Sequence, residues 1–129
     1  MVLIPWYKGE PFGHSDGVLR FIDNETVLVS YWYSNDTKLI YNLKKAGLNI
    51  EFIEFDVEKE DKRNWAYLNF LQTKDLILVP KFGIDEDNQA LNQLEKYYPD
   101  YKGRISQVDM SEVVIHGGTL NCISWTTKE

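Results

Sequence analysis

Three side chains of this 129-residue sequence could act together in nucleophilic chemistry: Cys122, His14 and Asp16. Cys122 is the single cysteine and follows Gly117 and Gly118. The two glycines place no side chain beside the thiol and leave backbone groups free to face a substrate. Because a free cysteine is more often a buried structural residue, the first interpretation is a buried thiol in a strand. The glycine spacing favours a reactive one instead.

A thiol is mostly protonated at neutral pH, so a catalytic cysteine needs a positive charge nearby. His14 or His116 could supply it as an imidazolium, or a cationic substrate could do so. The segment GHSDG sets His14 and Asp16 two positions apart, so an extended backbone would point both side chains to one face. The alternative is an unremarkable polar loop, with His116 as a strand-end histidine.

A metal site is the competing use of these residues. His14, Asp16, His116 and Cys122 are all possible ligands by residue type. The sequence contains no CxxC, HxxxH or HExxH spacing, however, and such spacings are what make a zinc prediction specific. We therefore predict no metal and no other cofactor.

Composition limits the possible partners. The net charge is −6 and no stripe of lysine and arginine interrupts it, which argues against nucleic acid and weakly favours cationic ligands. No stretch approaches the roughly 20 apolar residues of a membrane span, and the N-terminus lacks the features of a signal peptide. A single cysteine suits a reducing compartment. These features predict one domain over residues 1–129, located in the cytoplasm.

The elements that would position the candidate residues follow from apolar patterning and turn residues. A first helix is predicted to begin near Ser34–Asp36 and to end at Gly47, and a second begins within FGIDED and ends before Pro99. The charged segment from Asp56 to Asn64 is predicted to be a solvated loop. Strands are predicted at Val2–Trp6, Val18–Ile22, Thr26–Trp32, Ile50–Phe55, Ala66–Leu71, Leu76–Pro80 and Ile105–Val108, with another starting at Val113–Ile115.

An internal repeat organises these elements. LRFIDNETVLV, beginning at Leu19, matches LNFLQTKDLILV, beginning at Leu68. Each copy occupies roughly fifty residues and has the predicted order strand, strand, helix, strand. Since one such unit cannot bury both faces of its sheet, the copies must pack against something else. The sequence holds two copies and part of a third.

Three ordered segments then carry a family resemblance. GHSDGVLRFIDNETVLV, AYLNFLQTKDLILVPKFGIDEDNQAL and GGTLNCISW resemble the C-terminal half of the agmatine deiminase and bacterial (Porphyromonas-type) peptidylarginine deiminase family. The resemblance implies an α/β fold, a partial pentein (α/β propeller) of about two and a half ββαβ units. It also implies a guanidine-directed hydrolase without a cofactor, acting on agmatine or peptidyl-arginine, and a link to putrescine biosynthesis.

The resemblance also implies residue roles. Cys122 falls on the nucleophile that attacks the guanidinium carbon, and His14 on the residue that protonates the leaving amine and then activates water. Asp16 falls on a carboxylate that accepts guanidinium N–H groups, a match in geometry and charge. Gly117 and Gly118 would let the substrate pass close to the backbone.

The sequence departs from the family pattern in ways that leave three functions open. In full-length members, further guanidinium-binding acids precede the His-x-Asp segment. Here the only carboxylate before it is Glu10, which matches no family position. Asn121 stands where many relatives have His or Arg. The chain is therefore an active hydrolase, an inactive relative acting as a binding or interaction module, or a fragment of a longer enzyme. Trp6, Trp32 and Trp65 are candidates for surfaces covered by self-association or by a separate N-terminal half.

Overall fold

The computed structural model describes residues 4–5 and 14–127 of the chain. They belong to two compact units, and the boundary falls between Glu54 and Phe55. The chain has an α/β fold with two three-stranded sheets. In the described part of the chain, no helix has both the length and the apolar character needed to cross a membrane.

The N-terminal unit contains β1 (Leu19–Phe21), β2 (Thr26–Ser30), α1 (Thr37–Lys45) and β3 (Asn49–Ile53). β1 pairs with β2 in antiparallel orientation, and β2 pairs with β3 in parallel orientation through the helical crossover. The predicted strands and helix are confirmed, although the second strand ends at Ser30 and a 3-10 turn follows at Tyr31–Tyr33.

Local chemistry accounts for the turn and for the helix of this unit. The Asp23 carboxylate accepts a hydrogen bond from the Glu25 backbone N–H at 2.8 Å, which closes the turn between β1 and β2 and lowers the pKa of Asp23. Asp36 caps α1 by accepting from the Leu39 backbone N–H at 2.9 Å. Gly47, with a φ of +78°, supplies the left-handed residue that ends the helix.

The helix packs on one face of the sheet because its apolar positions recur at helical spacing. The core of the N-terminal unit consists of Val18, Leu19, Val27, Val29, Leu39 and Leu43. Val18 and Leu19 belong to this cluster, so their burial holds the start of β1 in place.

The C-terminal unit repeats the same order with β4 (Leu71–Gln72), β5 (Ile77–Lys81), α2 (Glu86–Tyr97) and β6 (Ile105–Asp109). β4 and β5 are antiparallel, and β5 and β6 are parallel. Each unit therefore has the strand–strand–helix–strand order that the sequence repeat predicts.

Two strand predictions in this unit are wrong. Residues Asn64–Leu68 and Val114–His116 form 3-10 helices, so Ala66–Leu71 contributes only its last position to a strand and Val113–Ile115 contributes none. Ala66, Tyr67 and Leu68 are fully buried, and an apolar run that is buried on all sides carries no periodicity to distinguish a strand from a helix. The strand predicted at Val2–Trp6 lies largely outside the described residues, and Ile4 and Pro5 are not in a strand.

The predicted charged loop is a loop, but it is anchored to its own unit rather than merely solvated. The Asp61 backbone N–H donates to the Glu86 carboxylate at the start of α2, at 2.7 Å. Asp61 also forms a two-point ion pair with Arg63, with both N–O distances at 2.8 Å. This bond with the Arg63 side chain lowers the pKa of Asp61 to about 2.

Candidate active site

The segment that carries Cys122 is an irregular turn and not a strand. The 3-10 helix Val114–His116 ends at Gly117, whose φ of +87° requires glycine in practice. The chain then turns back, and the Ile123 backbone N–H donates to the Thr119 carbonyl at 3.2 Å. Cys122 lies within this turn and is exposed, which corrects the expectation of a buried thiol in a strand. An exposed thiol is available to a ligand.

Gly118 lies directly against the Cys122 side chain. A Cβ atom at position 118 would come within 2.8 Å of the Cys122 Cβ and 3.0 Å of its Sγ. Contacts of this length do not occur between ordinary side chains, so the position excludes every residue but glycine unless the backbone moves. The absence of a side chain at Gly118 is thus what allows the Cys122 side chain to lie against this part of the backbone.

A buried polar contact holds the start of the Cys122 turn. The side-chain oxygen of Asn69 accepts from the Thr119 backbone N–H at 2.9 Å, and the Thr119 hydroxyl lies 3.0 Å from the same oxygen and 2.9 Å from the Asn69 carbonyl. The Asn69 carbonyl also accepts from the Asn121 backbone N–H at 3.1 Å. Sequence reasoning missed Asn69 and Thr119, although an amide inside the apolar run AYLNFL was an available signal.

His14 and Asp16 lie in the N-terminal unit, where the chain enters β1. The Ser15 carbonyl accepts from the backbone N–H groups of Val18 and Leu19, both at 3.0 Å, so this segment is a turn. The backbone here is therefore not extended, yet the turn still brings the two side chains together: a His14 ring nitrogen and an Asp16 carboxylate oxygen lie within 4.8 Å of each other. His14 is exposed and Asp16 is half-buried, and the turn is anchored by buried Val18.

The other residues singled out from the sequence lie in the following places. His116 is exposed at the last residue of its 3-10 helix, not at a strand end. Asn121 is half-buried, and its backbone is held by Asn69. Glu10 and Trp6 lie outside the described residues, while Trp32 is exposed and Trp65 is half-buried.

A buried carboxylate fixes the loop after β5. Asp87 accepts from the backbone N–H groups of Phe82, Gly83 and Ile84 at 2.8–3.1 Å and from the Tyr67 hydroxyl at 2.7 Å. Burial and this carboxylate raise the pKa of Tyr67 well above its ordinary value, so its hydroxyl remains a donor. The Asp87 carboxylate thus holds the predicted turn into α2 through four hydrogen bonds.

The chain is similar to a known protein family and to several curated proteins. The model of a family described as Porphyromonas-type peptidyl-arginine deiminase matches residues 7–127. A curated Enterococcus faecalis protein that carries the name agmatine deiminase is 38% identical over 82 residues, which are 62% of this chain and 22% of that protein. A Lactococcus lactis protein that carries the same name is 34% identical over 82 residues.

Solved structures agree on the fold. The agmatine deiminase of Enterococcus faecalis superposes with a TM-score of 0.62 at 25% identity, covering 86% of this chain and 39% of that one. The agmatine deiminase of C. jejuni superposes with a TM-score of 0.66 at 24% identity, over 91% of this chain and 38% of its own. The chain thus spans well under half of the length of the relatives it matches.

Proposed function

The chain belongs to the Porphyromonas-type peptidyl-arginine deiminase family, and from this premise we propose that it takes part in the hydrolysis of a guanidinium group. The substrates we propose are agmatine, which the names of its relatives indicate, and arginine side chains in peptides, which the family description indicates. The net charge of −6 favours a cationic ligand of this kind.

In the proposed reaction Cys122 is the nucleophile. Its thiolate attacks the central guanidinium carbon, and a C–S bond forms as the carbon becomes tetrahedral. Loss of ammonia then leaves an amidino-thioether on the enzyme. Water adds to the same carbon, the C–S bond breaks, and the thiolate and a urea product are released. No oxidant or reductant takes part, because the net reaction is the exchange of an amine for oxygen.

His14 and Asp16 have the complementary roles. We propose that the His14 imidazolium gives a proton to the departing ammonia and that the neutral ring then takes a proton from the attacking water. An imidazole can do both in one cycle, because its two ring nitrogens can give up and take up a proton in turn. The Asp16 carboxylate accepts hydrogen bonds from the guanidinium N–H groups, which orients the planar cation. Gly117 and Gly118 give the substrate access to the backbone beside the thiol.

The observation that carries the proposal is the pairing of an exposed Cys122 with a glycine pressed against its side chain. A purely structural cysteine is ordinarily buried, and it has no need of a neighbour without a Cβ atom. Here Cys122 is exposed, and its side chain rests against the backbone of Gly118. This arrangement supports a nucleophile that a planar cation can approach closely.

The test is the release of ammonia from agmatine and from an arginine-containing peptide by the purified chain. We expect Cys122→Ala to reduce the rate to background, because no other thiol is present. His116→Asn, which alters an exposed residue outside the proposed chemistry, should retain the wild-type rate. Equal background for wild type and Cys122→Ala would contradict catalysis by this chain alone.

A second candidate is favoured by the share of the relatives that the chain covers, 22% of the first curated one. A chain that carries part of a guanidinium site could bind the cation without completing the reaction, as a binding or interaction module. The first test separates these functions when calorimetry is run beside it. Saturable binding of agmatine, weakened by Asp16→Asn and without ammonia release, would favour the second.

A proposal about the whole fold accompanies the function. We propose that the two ββαβ units are consecutive members of a pentein ring and that residues 113–125 begin a further unit. The repeat order of the two units and the superposition on agmatine deiminases support it. The remaining units would come from another polypeptide segment or from further copies of this chain.

A further inference from the structure

We propose that Asn69 is a positioning residue for Cys122, a role that rests on the proposed function of the thiol as nucleophile. Asn69 directly follows the 3-10 helix Asn64–Leu68 and lies far from Cys122 in the sequence. Its side-chain oxygen and its carbonyl oxygen both accept hydrogen bonds from the turn that carries the thiol. Asn69 and Cys122 both lie in the C-terminal unit.

The contact between Asn69 and Thr119 is buried and polar. Asn69 and Thr119 are both fully buried, each with 0% of its surface exposed. Two oxygens of Asn69, one from the side chain and one from the backbone, accept from Thr119 and Asn121 at 2.9–3.1 Å. A buried amide is stable only where its polar atoms are bonded, and these bonds satisfy both Asn69 oxygens.

Those bonds reach both sides of the thiol. Asn69 fixes the backbone N–H of Asn121, immediately before Cys122. It also fixes Thr119, whose carbonyl accepts from Ile123, immediately after Cys122, at 3.2 Å. With both neighbours held, the cysteine Cα has little freedom, and its side chain stays against Gly118. Small displacements of a nucleophile are costly, so such a restraint matters for catalysis.

The amide is suited to this position for a chemical reason. Its carboxamide oxygen accepts from the Thr119 N–H, and alanine would leave that N–H and the Thr119 hydroxyl with one acceptor fewer in a buried place. Thr119→Val tests the other partner, because it keeps the size and the N–H but removes the hydroxyl. Thr119→Ser restores the hydroxyl and is the conservative rescue.

The experiment follows amide hydrogen exchange in residues 119–123 and alkylation of the thiol by iodoacetamide. Because Cys122 is the single cysteine, alkylation reports that residue alone. We expect Asn69→Ala to speed exchange in this segment about tenfold, the effect of losing one buried hydrogen bond. Alkylation should rise at least about threefold, because the thiol is released from its contact with Gly118.

The matched control is Asn64→Ala, since Asn64 is also buried but donates to Glu60, outside the Cys122 turn. It should leave exchange in residues 119–123 and the alkylation rate at wild-type values. If Asn69→Ala does not fold, Thr119→Val should speed exchange in the same segment and Thr119→Ser should reverse this. Folded Asn69→Ala with wild-type exchange and an unchanged or lower alkylation rate would overturn the proposal.

These readouts are independent of turnover, so they separate the two proposals. If the wild type releases ammonia from agmatine, Asn69→Ala should lower kcat about tenfold or more with KM within about threefold, as expected for a misplaced nucleophile. An equal fall for Asn64→Ala would indicate general destabilisation and overturn the positioning role. If the wild type is inactive, hydrogen exchange and alkylation still decide the role of Asn69.

Discussion

At the scale of single residues, the contact between Gly118 and Cys122 is a steric constraint that can be measured. A methyl group at position 118 would meet the Cys122 Cβ at 2.8 Å, and because side-chain rotation leaves that atom in place, the backbone of the turn must move. We expect Gly118→Ala to destabilise the protein by about 1–3 kcal/mol, the usual cost of overpacking. Urea unfolding of the purified variant measures this free energy.

Combining Gly118→Ala with Cys122→Gly tests whether the loss of stability comes from the contact between these two residues. Cys122→Gly removes both atoms that the new methyl group would meet, so adding Gly118→Ala to that variant should cost clearly less than adding it to the wild type. A coupling free energy of this kind is the expected signature of two residues in direct contact. Additive effects would contradict the close packing of Gly118 on the thiol.

At the scale of elements, the Asp61–Arg63 ion pair lies within the charged loop, and the Asp61 backbone N–H joins that loop to Glu86 at the start of α2. The Arg63 side chain lowers the pKa of Asp61 to about 2 from an ordinary 3.8, so the carboxylate is favoured in the folded state. The pair therefore stabilises the fold fully above about pH 4, and this contribution is lost as the pH falls toward 2. Since both side chains are partly exposed, we expect about 0.5–1 kcal/mol.

Asp61→Asn should remove that contribution and with it part of the acid sensitivity. The free energy of unfolding should fall at neutral pH and should depend less on pH between about 4 and 2 than in the wild type. Urea unfolding across this range is the measurement. Glu58→Gln, an exposed change in the same loop, is the control and should leave both quantities unchanged. Identical pH profiles for wild type and Asp61→Asn would contradict a stabilising pair.

How far the elements could be predicted depended on where their stabilising contacts lie. α1 was predictable because its cap, its apolar face and its terminal glycine are all local, at Asp36, Leu39 and Gly47. The segment Asn64–Leu68 was not, because Ala66, Tyr67 and Leu68 are buried in succession and the Tyr67 hydroxyl bonds to Asp87, twenty positions away. Contacts distant in sequence leave no local pattern.

The same distinction between local and distant contacts applies to the candidate site. Cys122 and the glycine pair were identifiable from residue type and spacing. The exposure of the thiol was not, because it follows from a turn whose anchor, Asn69, lies far away in the sequence. Around His14 the sequence left an extended backbone and a polar loop both open, and the Ser15 carbonyl closes a turn there. The glycines beside His14 and Asp16 permit such a turn, but they do not specify which backbone N–H groups bond to that oxygen.

At the scale of the whole molecule, both units leave large apolar side chains exposed. In the N-terminal unit they include Phe21 and Trp32, at 53% and 50% exposure. In the C-terminal unit they include Ile115, Ile123 and Trp125, at 74%, 64% and 90% exposure. Single exposed apolar residues are ordinary, but several within one short segment are typical of a surface that another chain covers.

The last prediction is that the chain self-associates through residues 115–125. Sedimentation equilibrium over a wide range of concentrations should give a mass that rises above 15.1 kDa, because covering these side chains removes apolar area from water. The combined variant Ile123→Ser and Trp125→Ser should shift the association to higher concentration. Glu95→Ser with Lys102→Ser, two exposed polar positions, should leave it unchanged. A monomer at every concentration would refute self-association and leave a separate polypeptide as the proposed partner of this surface.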